Sequence, residues 1–136
     1  TYRNLEHYGN PEKILNDVEK QIRRRILLQT KTLILTPRYL VELSDDICAI
    51  IPLPEVLWIY DHAAMRRTIK GRQLSYTIHV VTMKGEEYTL TGKSHREVSA
   101  IYHELNTRYP NFFFGYSKEH QEMVQYVLHE MKNEKA

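Results

Sequence analysis

The 136-residue sequence predicts a segregated α+β domain, and three observations carry that prediction. Apolar residues recur at helical spacing near the N-terminus and again over the last third. The stretch between them, Lys31 to Thr91, is rich in β-formers. The turns joining those β stretches are too short for the crossover helices of a parallel sheet, so the strands are expected to be antiparallel. The expected order is one N-terminal helix, six to seven antiparallel strands, a capping helix and an extra C-terminal helix.

Asn10-Pro11-Glu12 offers an N-cap, a proline at the first helical position and an acid in the first turn. Ile14, Leu15, Val18, Ile22 and Ile26 follow at helical spacing and predict a helix running to about Leu28. Thr32-Leu33-Ile34-Leu35 and Arg38-Tyr39-Leu40-Val41-Glu42-Leu43 form two strands around a Thr36-Pro37 turn, and Ser44-Asp45-Asp46 turns the chain into a third, Ile47 to Ile51. Pro52 and Pro54 punctuate the chain before a run from Val56 to Ala63, because proline cannot donate to a central ladder. Splitting the region Val56 to Arg66 is the source of a seventh strand, and Arg66 to Gln73 is expected to be a polar loop. Leu74 to Thr82 is the next strand, and Lys84-Gly85 turns it back into Glu87 to Thr91.

Ser94-His95-Arg96-Glu97 has capping-box spacing. Val98, Ile101, Tyr102, Leu105 and Tyr109 give that helix its buried face, and Pro110 stops it. Phe112-Phe113-Phe114-Gly115 is an aromatic connector. Ser117 caps a final helix, whose Met123, Val124, Val127, Leu128 and Met131 suit packing against the N-terminal helix. The chain is thus expected to be one compact unit: a helical extension over 1–30, a β-rich part closed by a helix over 31–109, and the connector with its helix over 110–136.

With 42% hydrophobic and 26% charged residues, the composition suits one globular domain rather than a disordered or disulfide-stapled chain. No apolar run approaches the roughly 18 to 20 residues of a membrane-spanning helix, and the N-terminus has no signal-peptide pattern. A single Cys48, between Ile47 and Ala49, is expected to be a buried thiol without disulfide or catalytic role, which fits a cytoplasmic location. The chain begins at Thr1 rather than methionine, which suggests processing or excision from a longer protein. A membrane segment upstream of Thr1 would put the first helix at the cytoplasmic face of a membrane.

Nothing in the sequence assembles a catalytic set. Seven histidines are present, but Thr107 follows His103-Glu104, and Asn133 follows His129-Glu130, where a zinc-protease helix needs its second histidine. Solvent-facing histidines are the expectation, with no metal and no cofactor. Gly9, Gly71, Gly85, Gly92 and Gly115 are isolated and make no phosphate-cradling loop. Asp45-Asp46 alone is no calcium site. A binding protein rather than an enzyme is expected, with a small enzyme lacking any recognisable motif as the third choice.

The basic residues carry the better signal, although 19 of them against 17 acids leave a net charge of only +2. Arg66, Arg67, Lys70 and Arg72 fall within seven residues and are candidates for an anionic ligand or lipid. Lys20, Arg23, Arg24 and Arg25 form a second concentration, suited to a membrane-facing helix. Phe112, Phe113 and Phe114 cannot all point inward from a short connector, which leaves at least one for a protein partner or for self-association. The partner classes are therefore an anionic membrane surface, another protein, or a second copy of the chain. The rival from a different class is a basic adaptor that binds nucleic acid through the first helix and the arginine segment; +2 is a small charge for that task.

Residues 31–109 also carry a family resemblance. The hairpin Thr32-Leu33-Ile34-Leu35-Thr36-Pro37-Arg38-Tyr39-Leu40-Val41, the segment Ile51-Pro52-Leu53-Pro54-Glu55-Val56, and the strand-glycine-strand unit Tyr76 to Thr91 followed at once by a capped helix together resemble the bacterial pleckstrin-homology-like (PH-like) domains and the similar GRAM domains. The resemblance implies a curved sheet or partly open barrel, closed at one end by the helix Ser94 to Arg108. It implies binding of lipid head groups, peptides or neighbouring domains, and it brings no catalytic residue.

Overall fold

In the computed structural model, which describes residues 8–43 and 48–134, the first helix begins where the sequence places it. Asn10 Oδ1 accepts from the Glu12 N–H at 2.9 Å, and α1 spans Pro11–Arg24. It ends four residues earlier than its apolar spacing predicts. Arg25 is already extended, and the Leu27 N–H donates to the Leu35 carbonyl at 2.8 Å, so the residues after α1 take their hydrogen bonds from a sheet. Ile26, counted on the helical stripe, is exposed.

The α+β class holds. Among the described residues are three helices and eight strands, the latter in two four-stranded sheets. The chain divides after Pro54 into two compact units. In the first, β1 (Leu28–Gln29), β2 (Leu33–Leu35), β3 (Tyr39–Leu43) and β4 (Cys48–Pro52) pair antiparallel in sequence order. The Thr36-Pro37 turn is held by Thr36, whose N–H donates to the Tyr39 carbonyl at 2.9 Å and whose Oγ1 accepts from the Tyr39 N–H at 3.1 Å. Val18 of α1 packs on Tyr39, Val41 and Ile50, flanked by Ile14, Leu15, Ile22 and Ile34. The opposite face, with Leu35, Leu40 and Ile51 in register, is fully buried as well. The expected Ser44-Asp45-Asp46 turn and the Cys48 side chain lie outside the described residues.

In the second unit, after a single 3-10 turn at Leu53–Glu55, come β5 (Val56–Thr68), β6 (Gly71–Thr82) and β7 (Glu87–Lys93). The capping box at α2 (His95–Arg108) is complete: Glu97 N–H donates to Ser94 Oγ at 3.2 Å, and Ser94 N–H donates to Glu97 Oε1 at 3.0 Å. α3 (Lys118–Glu134) begins after Ser117, whose Oγ accepts from the His120 N–H at 3.0 Å.

Three expectations change in this unit. β5 is not split; the strands beyond six are β1 and β8 (Phe113–Phe114), each two residues long. β8 lies parallel to β5, with Phe113 opposite Trp58, so the strands are not all antiparallel. The apolar stripe of α3 meets the sheet of its own unit, where Val124, Val127 and Leu128 pack with Leu57, Trp58, Tyr60, Val81 and Phe113, while Met123 stays exposed. The connector between α2 and α3 is short enough to lay its aromatic pair along β5, which brings α3 down on that same face.

Candidate functional site

The segment expected to be a loop, Arg66 to Gln73, is the end of a long β-hairpin. β5 and β6 stay in register from Trp58 opposite Val81 to Thr68 opposite Gly71, and only Ile69 and Lys70 make the turn. Gly71 has φ +115, a value L side chains rarely adopt, and Thr68 Oγ1 donates to its carbonyl at 2.9 Å. The physical reason for the difference is burial. Residues 62–68 of β5 and 71–74 of β6 are exposed on both faces, so no inward-facing apolar residues alternate with polar ones to mark a strand.

The base of this hairpin is covered on both faces. On one, Asp61 accepts a hydrogen bond from the Tyr102 hydroxyl of α2, above the buried residues Ile59, Ile78 and Val80. Burial first, then the Asp61 carboxylate, pushes the Tyr102 phenol far up, so it acts as a fixed donor. Asp61, Tyr102, His103, Asn106, Phe114 and Gly115 border an open hollow of about 380 Å³ here. On the other face, a row of adjoining rings runs outward from beneath α3, tilted at its first contact and stacked at the next two. Trp58 and Tyr60 have centroids 4.2 Å apart, Tyr60 and His79 4.6 Å, and His79 and His62 4.9 Å.

Beyond that point the hairpin stands alone. The exposed length of β5, His62 to Thr68, extends about 23 Å at strand rise. Cross-strand register sorts its side chains. Ala63 with Tyr76, Met65 with Leu74 and Arg67 with Arg72 share one face; Ala64 with Ser75 and Arg66 with Gln73 share the other. Met65, Leu74 and the wholly solvent-facing Ile69 are exposed apolar residues. Of the four basic residues singled out, Arg67 and Arg72 sit directly opposite each other, Arg66 faces the other way, and Lys70 is at the turn. Like charges opposed across a ladder repel. No acid follows Asp61 before Glu86, and among the described residues none of the four forms an ion pair.

The remaining candidates are elsewhere. Lys20, Arg24 and Arg25 border one cavity beside α1, and Arg23 does not line it. Phe112, Phe113 and Phe114 are each half-buried: Phe112 stacks on Tyr109 at 4.9 Å, Phe113 meets His120 at 5.4 Å and Phe114 meets the edge of Tyr102 at 6.2 Å. Their rings thus have partners within their own unit. Among the described residues no three His, Cys, Asp or Glu side chains are placed to hold a metal ion, and no helix is long and apolar enough to cross a membrane.

Sequence spacing missed the His62–His79 pair, in which His62 is exposed as expected and His79 is half-buried. Placing the turn at Ile69–Lys70 sets the register that brings them together. His79 Nε2 and His62 Nδ1 are 2.9 Å apart, one ring donating and the other accepting, and His79 Nδ1 is 3.9 Å from Glu87 Oε1. Burial, and then His62, lower the pKa of His79 from its ordinary 6.5, and Glu87 only partly opposes this. A lowered folded-state pKa means that stability is fully present above 6.5 and is lost as pH falls through the folded value. The melting temperature is therefore expected to drop between about pH 7 and about pH 5, and to drop less in His79→Phe. Equal slopes in the two proteins would remove the pair from the account.

The profile of a family described as Domain of unknown function (DUF6709) matches residues 12–124. No curated protein and no solved structure matches the chain.

Proposed function

The chain belongs to the DUF6709 family, and we propose that it is a non-catalytic binding module of PH-like build that docks the β5–β6 hairpin on an anionic membrane leaflet. The observation that carries this reading is the make-up of the hairpin end. Three exposed apolar side chains, Met65, Ile69 and Leu74, are interleaved with four unpaired cations and no acid. An acidic leaflet matches both halves. Each basic residue near its surface gains about 1 kcal/mol. Burying an isoleucine-sized side chain in the acyl boundary gains a further ~1.5–3 kcal/mol. The opposed Arg67 and Arg72, repulsive in water, are relieved by a phosphate placed between them.

The PH-like build is supported by three local features: the β2–β3 hairpin closed by Thr36, the proline-broken passage from β4 to β5, and the β6–β7 hairpin leading straight into the capped α2. In such a build the strands present a loop or hairpin to a surface, as β5 and β6 do here. Cytoplasmic-face association follows from the anionic character of that leaflet.

Vesicle co-sedimentation tests the reading. Binding to vesicles rich in anionic phospholipid, falling as salt rises, and absence of binding to neutral phosphatidylcholine vesicles are expected. Equal, negligible sedimentation with both at low salt overturns it. So does a steeply salt-dependent affinity for duplex DNA without vesicle binding, which would assign the arginines to a nucleic-acid adaptor.

A further inference from the structure

The cavity beside α1 has a chemistry of its own. Asp17, Lys20, Gln21 and Arg24 follow the i, i+3, i+4, i+7 spacing that aligns side chains along one helix face, and with Arg25 and Pro37 they enclose about 210 Å³. Gln21 is oriented by its neighbours: its Oε1 accepts from Thr36 Oγ1 at 2.9 Å and from the Arg38 N–H at 3.0 Å. With the oxygen occupied twice, only the Gln21 NH2 group remains to donate. Asp17 is fixed as well, because the Tyr39 hydroxyl donates to its Oδ2 at 2.6 Å. Burial, followed by that hydrogen bond, pushes the Tyr39 phenol up to about 12, so it stays a donor. The second oxygen of Asp17 is left as an acceptor. Among the described residues Lys20, Arg24 and Arg25 form no ion pair.

We propose that this cavity binds a small phosphomonoester bearing a neighbouring hydroxyl group. Three cations and one carboxylate leave two positive charges, which match the near-dianion of a phosphomonoester at neutral pH and overmatch the single charge of a phosphodiester. Lys20, Arg24, Arg25 and the Gln21 NH2 donate to phosphate oxygens; the free oxygen of Asp17 accepts from the hydroxyl. The volume lies below the ~300 Å³ at which drug-sized pockets begin, which selects a short polyol phosphate over a nucleotide. The source of the group is either a soluble metabolite or the headgroup of a phosphomonoester lipid, and both present the same atoms. This site lies in the first unit and does not depend on the hairpin.

Calorimetric titration with sn-glycerol 3-phosphate, inorganic phosphate and inorganic sulfate tests it, in a protein whose hairpin cations have been replaced by glutamine. Saturable binding is expected, tightest for glycerol 3-phosphate. Lys20→Gln and Arg24→Gln each weaken it about tenfold or more, whereas Arg23→Gln, one residue outside the cavity, leaves it unchanged. All three positions are exposed, so these substitutions leave the fold intact. Asp17→Asn abolishes the preference for glycerol 3-phosphate over inorganic phosphate. A matching pair of vesicle measurements separates the sources. Phosphatidic acid vesicles that bind this hairpin-neutralised protein, where phosphatidylglycerol vesicles do not, assign the ligand to the lipid; binding of the free phosphate alone assigns it to a metabolite. No saturable binding of either, or equal losses in the Arg23 and Arg24 variants, overturns the proposal and leaves the hairpin reading untouched.

Discussion

Replacing Trp58 with alanine is expected to cost about 3–5 kcal/mol of folding stability. Trp58 is 5% exposed on β5 and contacts both α3 and the connector that leads into it. Its ring packs with Leu57, Val81 and Val124, which seats α3, and lies 4.2 Å from Tyr60. Its Nε1–H donates to the Gly115 carbonyl at 2.9 Å, and the Gly115 N–H in turn donates to the Ile59 carbonyl at 2.8 Å, which ties the α2–α3 connector to the sheet. Truncation leaves a cavity under α3 and removes one hydrogen bond from the Gly115 carbonyl, which His120 Nδ1 still approaches at 3.0 Å, so the cavity carries most of the loss. Against a typical total of about 5–15 kcal/mol, the variant is expected to unfold at much lower urea, with Trp58→Phe falling between it and the parent. A loss below about 1 kcal/mol would show that α3 is held by other contacts.

The second large effect concerns the hairpin. Substituting Arg66, Arg67, Lys70 and Arg72 together by glutamine is expected to lower affinity for acidic vesicles by about a thousandfold, from four contributions of about 1 kcal/mol each. Folding stability should stay within about 0.5 kcal/mol, since all four side chains are exposed and the Arg67–Arg72 repulsion is removed as well. Ile69→Ser provides the complementary measurement. It is expected to weaken vesicle binding about tenfold without changing its salt dependence, because the isoleucine contributes through apolar burial. Unaltered vesicle binding in the four-fold variant would remove these residues from the surface contact.

How much of this was legible in the sequence depends on where each element gets its hydrogen bonds. Local signals carried the Asn10 cap, the Thr36-Pro37 turn, the Ser94–Glu97 box and the Ser117 cap, because in each a side chain bonds to backbone within three residues. Elements only two residues long, defined by their partner strand, were missed. β1 exists because Leu28 meets Leu35, and β8 because Phe113 and Phe114 meet Trp58 and Ile59 more than fifty residues away. Two residues cannot show a period.

The candidate sites divide in the same way. Arg66, Arg67, Lys70 and Arg72 stood out as a charge run, but their sorting onto two faces needed the register. Lys20, Arg24 and Arg25 stood out beside Arg23, yet Gln21 and Asp17, which give that cavity its second chemistry, are unremarkable in sequence. Only the contacts Thr36 and Tyr39 make with them fix their roles.

The free-standing length of the hairpin has one more consequence. Among the described residues, β8 pairs with β5 only at Trp58 and Ile59, and β7 pairs with β6 no farther out than Tyr76. From there to the turn, both flanks present open rows of N–H and C=O groups, the arrangement by which two chains zip together edge to edge. The four basic residues, Arg66, Arg67, Lys70 and Arg72, are the natural guard against that outcome. Two such hairpins approaching side by side would align eight positive charges, and their mutual repulsion opposes that pairing.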